Sequence, residues 1–361
     1  DYQKDAFYWL YGMMKFGLGV CLADDMGLGK TVEVLSLLAQ LKKEGIKKIL
    51  IIVPPTLIAN WQNEINKFSP DMDYSILRGT ANLINGQSGA FLTLTTYQTT
   101  LRSKYIQTAD WDLIVLDEAQ AIKNYYTSQT KMIKSLKSKM RIIMTGTPIE
   151  NNILELWSLF DFINPGLLGS RLEFLNYLKQ SQQLSSRQNL ERQKMIKAQI
   201  SPFILRRVKT DKKIIADLPE KNEINIFLDP TKEQVVLYRK VIDDMNKEIL
   251  TAKNQHVMRA VVLKYLIKLK QICNHPSQYY GDSLYEVEKS SKFIELKNIC
   301  DNIAKKHEKV LIFTQFKEII PAIVNMLEGV FQKKGAFIDG SVSLAKRSEN
   351  IRLFQLGDYP Y

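Results

Sequence analysis

The sequence predicts an α/β protein built on a parallel sheet. Two observations carry this. Short apolar runs alternate with helix-compatible stretches through the first 165 residues, and strands separated by helices pair in parallel with both faces covered. Between the first run and the first helix lies a glycine-bearing loop, Asp24-Asp25-Met26-Gly27-Leu28-Gly29-Lys30-Thr31.

The elements follow in order. Val20 to Ala23 is a short apolar run, and Thr31 to Lys42 is helix-compatible, with Val32, Val34, Leu35, Leu37 and Leu38 as its apolar positions. Lys48 to Val53 is a buried-strand run stopped by Pro54-Pro55. Leu57 to Phe68 and Gln129 to Leu136 are helix-like, while Phe91 to Thr95, Leu113 to Leu116 and Ile142 to Met144 are strands. Ligands of such sheets bind beyond the carboxyl ends of the strands, where the loop sits. From about Asn151 to Ile299 the pattern is mostly helical, punctuated by Asn164-Pro165-Gly166 and Leu218-Pro219 and interrupted by the strand-like Asn222 to Leu228. Lys309 to Thr314 then opens a second strand-rich unit, with a helix at Glu318 to Glu328 and a short strand near Ala336 to Ile338. Three parts are expected: 1–165, 166–299, and a partial unit over 300–361, shorter than a doubly wound domain usually needs.

The 361 residues suffice for two cores, and 45% hydrophobic with 24% charged residues is ordinary for a soluble globular chain. No apolar run is long enough to span a membrane. Cys21, Cys273 and Cys300 are few and widely spaced, as in an intracellular protein with reduced thiols. That places the chain in the cytoplasm or nucleoid of a prokaryote, or in a eukaryotic nucleus. Cys273 and His275 read as helix-end residues. The net charge is +12, and Arg171 to Lys213 holds eleven basic against three acidic residues. Such a cluster is either a footprint for phosphate backbones or a solvated helix face.

The loop reads as a phosphate cradle. Its glycines let the backbone aim N–H groups at a phosphate, Lys30 supplies a mobile positive charge, and the Thr31 hydroxyl suits Mg²⁺. It departs from GxxxxGK[ST] because Asp24 stands where the first glycine belongs. Asp117, 87 positions after Lys30, ends the run Leu113 to Leu116 and is followed by Glu118-Ala119-Gln120. A carboxylate at a strand end facing such a loop can hold Mg²⁺, and its neighbour can orient and deprotonate an attacking water. Thr145-Gly146-Thr147-Pro148 can hydrogen-bond that carboxylate loop, or be a plain turn. The Gln3 amide can donate and accept at an adenine edge. The aromatic face behind it (Phe7, Tyr8, Tyr11) reads as core rather than stacking platform.

Together these segments resemble the Swi/Snf family of superfamily-two, helicase-like DNA translocases, along nearly the whole chain. Tyr2-Gln3, DDMGLGKT and DEAQ correspond to its adenine-reading, first and DEAH-type motifs. Val53 to Trp61, Thr95-Thr96-Tyr97, Ile122-Lys123-Asn124, Thr145 to Asn151, Phe203 to Arg207, Leu269 to Pro276, Ile312 to Phe316 and Asp339-Gly340-Ser341 also fit. The resemblance implies two RecA-like lobes with helical protrusions, the second lobe partial here, coupling ATP hydrolysis to movement on double-stranded DNA or displacement of a DNA-bound protein. It implies that Gln3 reads adenine, that Asp25, Met26, Gly27, Leu28, Gly29, Lys30 and Thr31 bind ATP, that Thr31 and Asp117 hold Mg²⁺, and that Glu118 is the catalytic base. DNA-backbone contacts would be Thr56, Trp61, Thr96, Lys123, Asn124, Arg206, Arg207, Thr314, Gln315, Gly340 and Ser341, with core packing an equal alternative for Trp61. Thr147 and Val310 are 163 residues apart, longer than the linkers of related RNA helicases, so the basic stretch reads as part of the family's protrusions. The family's later glycine-rich motif and γ-phosphate arginines lie beyond the position of Leu356-Gly357-Asp358. The expectation is that these 361 residues bind ATP and hydrolyse it slowly. A non-catalytic, nucleotide-responsive DNA-binding module and an RNA-stimulated helicase are the alternatives.

Overall fold

Each apolar run of the first part becomes a strand in the computed structural model, which describes residues 2–78, 89–146, 153–182, 186–211, 214, 222–252 and 254–361. The strands are β1 (Val20–Leu22), β2 (Ile49–Val53), β3 (Tyr74–Leu77), β4 (Leu92–Thr96), β5 (Trp111–Leu116), β6 (Ser138–Met144) and β7 (Ile204–Leu205). They form one sheet in the order β3-β4-β2-β5-β6-β1-β7, with every neighbouring pair parallel. Successive side chains point to opposite faces. Ile49, Ile51 and Val53 enter one core with the helices Tyr2–Lys15, Lys30–Lys43 and Ile58–Phe68. Leu50 and Ile52 enter the other, with Ser128–Ser135 and Ile153–Ile163. Both faces are covered, which is why these runs are apolar throughout.

Two strands escape the sequence pattern. Tyr74–Leu77 is an edge strand with one fully buried position, so its apolar signal is weak. Ile204–Leu205 is two residues long, pairs with β1 and lies past the helices Arg171–Gln182 and Ser186–Ile200. Through β7 the first unit runs further than residue 165. The chain divides into two compact units, Asp1–Lys221 and Asn222–Tyr361.

In the second unit, Lys232–Leu250 and Gln255–Asn274 pack around Leu237, Val241, Val261, Tyr265, Leu269 and Ile272. Ser291–Lys305 and Ile320–Phe331 pack around Phe293, Cys300, Ile323 and Leu327. The strands expected at 309–314, 336–338 and 222–228 do not form among the described residues. Val310 donates to the Pro360 carbonyl (2.9 Å) and Ala336 to that of Tyr361 (3.0 Å). These are isolated bonds, not a ladder, and Phe313 remains 91% exposed. Phe227 is likewise exposed. His275 caps Pro276–Tyr280, its Nδ1 accepting from the Ser277 N–H at 3.1 Å, just past Cys273 on the preceding helix. Among the described residues no helix is long and apolar enough to cross a membrane.

Candidate active site

The carboxyl edge of the sheet brings together the glycine-bearing loop and the carboxylate pair. The loop after β1 turns through Gly27 (φ 82°) and Gly29 (φ 89°). This is the left-handed region that glycine enters without strain. A Cβ at Gly29 would also overlap the Gln3 amide. The loop delivers Lys30 and Thr31 to the first turn of Lys30–Lys43, where unpaired helical N–H groups and the helix dipole favour an anion. The Lys30 ammonium donates to the carbonyls of Asp24 (2.7 Å) and Asp25 (3.3 Å). The Tyr2 hydroxyl (2.9 Å) and the Gln3 amide (3.4 Å) donate to the Leu28 carbonyl, so the N-terminal helix props the loop.

Asp117 ends β5, where its N–H continues the ladder to the Ile52 carbonyl (2.9 Å). Its carboxylate is nearly buried. Oδ2 accepts from the Trp61 indole (2.8 Å) and Oδ1 from the Glu118 N–H (2.9 Å). Burial pushes its pKa up, with Trp61 and Lys30 acting in the opposite sense. Glu118 adopts a left-handed backbone (φ 50°), a strained conformation of the kind that clusters at functional sites. Its Oε2 accepts from Gln120 (2.6 Å), and the Gln120 carbonyl oxygen accepts from the Thr145 hydroxyl at the end of β6 (3.2 Å). The Tyr97 hydroxyl donates to the Asp117 carbonyl (2.7 Å), fixing the turn from behind. One cleft of about 520 Å³ is lined by Gly27, Gly29, Lys30 and Thr31 from the loop and by Asp117 and Glu118 opposite. Cation, helix terminus and paired carboxylates therefore face one space.

Asp24 is fully buried and bound by Arg207. The Arg207 N–H donates to Asp24 Oδ1 (2.8 Å), its Nε to Asp24 Oδ2 (2.9 Å) and one terminal nitrogen to Glu33 Oε1 (2.7 Å). Burial raises the Glu33 carboxyl from 4.5 to about 7, against the pull of Arg207 and Lys30 and with that of Asp24. The folded state thus keeps a proton that the unfolded chain gives up between these values. Stability falls as pH rises from 4.5 to about 7 and is level above. The loss is on the order of 3 kcal/mol. Urea midpoints at about pH 5 and pH 8 check this: Glu33→Gln is expected to flatten the difference seen in the parent.

Several expected roles need correction. Trp61 is fully buried and holds Asp117, so its indole has no surface for DNA. Thr96 is nearly buried, and its hydroxyl caps Tyr97–Thr100 by accepting from the Thr99 N–H. Arg207 is committed to two carboxylates with its side chain 10% exposed. Lys123 is also 10% exposed and pairs with Glu155 at 3.5 Å. The Asp25 N–H donates to the Arg207 carbonyl (3.0 Å) instead of facing the cleft, and the Leu28 side chain is core. Met26, Thr56, Asn124, Arg206, Thr314, Gln315, Gly340 and Ser341 are exposed. Thr147 to Asn151, Lys212 and Lys213 lie outside the described residues, as does the side chain of Arg187. The Thr145–Gln120 bond is the contact to the carboxylate loop that the sequence allowed, whereas the bonds of Gln120 to Glu118 and of Tyr97 to Asp117 were missed, though both residues stand inside matched motifs. Sequence reading also missed the Lys209 N–H, which donates to Asp25 Oδ2 (3.0 Å). An aspartate replacing a glycine at the end of an apolar run was the available signal that a buried cation must meet it.

The parallel sheet with its loop after β1 and carboxylates after β5 defines a RecA-like α/β lobe. The SNF2-related domain model matches residues 2–278. The Bacillus subtilis (strain 168) protein YwqA is 34% identical over 99% of this chain and 40% of its own length. The ISWI chromatin-remodeling complex ATPase ISW2 of Saccharomyces cerevisiae is 29% identical over 97% of this chain and 32% of its own. The structure of the Sulfolobus solfataricus SWI2/SNF2 ATPase core in complex with dsDNA superposes with a TM-score of 0.58 at 38% identity, over 98% of this chain and 75% of that one. The chain belongs to the SNF2-related family. It spans two fifths or less of these two curated relatives' length.

Proposed function

We propose that this chain is part of an ATP-dependent, double-stranded-DNA translocase that remodels or displaces DNA-bound protein. The carrying observation is the single cleft in which Lys30 and the helix terminus face Asp117 and Glu118. Lys30 leaves its loop carbonyls to neutralise the β- and γ-phosphates. Glu118, oriented by Gln120, positions the water and accepts its proton. Hard oxygen donors suit Mg²⁺, and the Thr31 hydroxyl and the Asp117 carboxylate, whose oxygens each accept one hydrogen bond and keep further acceptor capacity, would hold it. The ion supplies charge neutralisation at the phosphates when bound. Gln3, beside the loop, reads the adenine.

DNA binding is assigned to the exposed Thr56, Asn124 and Arg206 of the first unit and to Thr314, Gln315, Gly340 and Ser341 of the second. The solved relative in complex with dsDNA supports duplex as the substrate. The test is ATP turnover with duplex DNA, single strands and RNA side by side, on this chain and on one extended past Tyr361. Duplex is expected to stimulate most, and the extended chain to be the faster. Stimulation by RNA alone overturns the reading. Because the contacts go to phosphates, log Kd should rise against log salt with a slope of roughly 0.9 per neutralised phosphate. A salt-insensitive Kd by fluorescence anisotropy removes Arg206 and the basic stretch from the interface.

A further inference from the structure

The Asp24–Arg207–Glu33 cluster has no part in the chemistry above, yet it bonds the loop from both of its ends. Arg207 lies 183 residues from Asp24 in sequence. β7 brings it there by pairing Cys21 with Ile204 and Leu22 with Leu205. The ladder then runs on into the loop: Ala23 donates to the Leu205 carbonyl (2.7 Å), Asp25 to that of Arg207 (3.0 Å), and Lys209 to Asp25 Oδ2 (3.0 Å). The guanidinium joins three elements. It holds Asp24 at the entry of the loop, Glu33 on the helix leaving it, and the Tyr2 carbonyl of the N-terminal helix, and it lies 5.0 Å over the Tyr2 ring. Tyr2 in turn holds the Leu28 carbonyl. Asp24 and Glu33 are at most 1% exposed. The buried Asp24 carboxylate at the base of a phosphate loop, with Glu33 packed beside it, requires a cation, because an uncompensated buried charge is strongly unfavourable. Only a planar fork with several donors meets both at once.

We propose that Arg207 is a positioning residue of the phosphate loop: it holds the loop in the conformation that receives nucleotide, and so makes nucleotide binding depend on the segment returning from helices 171–200. The inference rests on the reading of the loop as an ATP site. It also gives Asp24 its role, as the anchor for a residue far along the chain, in place of a glycine that would offer none.

The test is titration of a fluorescent ADP analogue with Mg²⁺ into Arg207→Gln, Arg207→Lys, Asp24→Asn and the Asp24→Asn/Arg207→Gln double variant, with Lys30→Ala as control. A loop displaced by about 1 Å should raise Kd roughly ten- to a hundredfold. Loss of folded protein would instead lower only the amplitude of the titration. Arg207→Gln and Asp24→Asn should each raise Kd, and the double variant no more than the worse single one, because both act through one contact. Arg207→Lys keeps charge and stem, so it secures folding and should recover part of the affinity. Arg207→Lys and Arg207→Gln both binding within twofold of the parent, or strictly additive effects in the double variant, overturn the inference. If Lys30→Ala binds as tightly as the parent, the ATP-site reading fails with it. If Lys30→Ala loses binding and the Arg207 variants keep it, only the positioning role fails.

Discussion

Glu118→Gln is expected to lower ATP turnover by about 10²- to 10⁴-fold, the range for losing a positioned general base, while nucleotide and DNA binding persist. The side chain keeps its shape and can still bond Gln120, so the turn after β5 stays in place. What is lost is the carboxylate proposed to accept the water's proton. Lys30→Ala is expected to fail one step earlier, because it removes the cation proposed to meet the phosphates. The two variants therefore separate in a binding titration: Glu118→Gln holds nucleotide and Lys30→Ala does not. DNA-stimulated phosphate release with a parallel DNA-binding measurement checks both. Undiminished turnover in either variant removes that residue from the mechanism.

Trp61→Ala is expected to destabilise the first unit by about 3–5 kcal/mol, since a fully buried indole leaves a cavity that packed neighbours fill only in part. Trp61→Phe keeps most of the volume and removes only the donor to Asp117 Oδ2. Its cost is expected at about 1–3 kcal/mol, the penalty for a buried acceptor left unpaired. Urea denaturation read by circular dichroism gives both values. Duplex-DNA Kd should be unchanged in Trp61→Phe, which removes the indole donor, and this distinguishes a core tryptophan from a backbone contact. A raised Kd in the folded variant would return Trp61 to the DNA interface.

The first lobe was largely legible in the sequence. Runs such as Lys48 to Val53 are apolar at every position because both faces of the sheet are packed, and that pattern survives in one dimension. So did the facing of Lys30 and Asp117, since carboxyl ends of parallel strands converge by topology. The second unit was less legible: Val310 to Thr314 has strand composition, but a strand needs a ladder of partners, and the isolated bonds of Val310 and Ala336 do not make one. Thr96 and Arg207 were misassigned, and Trp61 was left open between core and DNA, for a common reason. Residue type and motif order announce that a position matters, but not which way its side chain points.

By itself the sequence determined the class of sheet, the glycine-bearing loop after its first strand and the carboxylates opposite it, because local backbone preference and apolar patterning set them. Only the tertiary structure decided what Asp24 meets. Its partner, Arg207, comes from across the chain on a two-residue strand too short to leave a periodic signal, and the need for that pair arises only when burial strips water from Asp24 and Glu33.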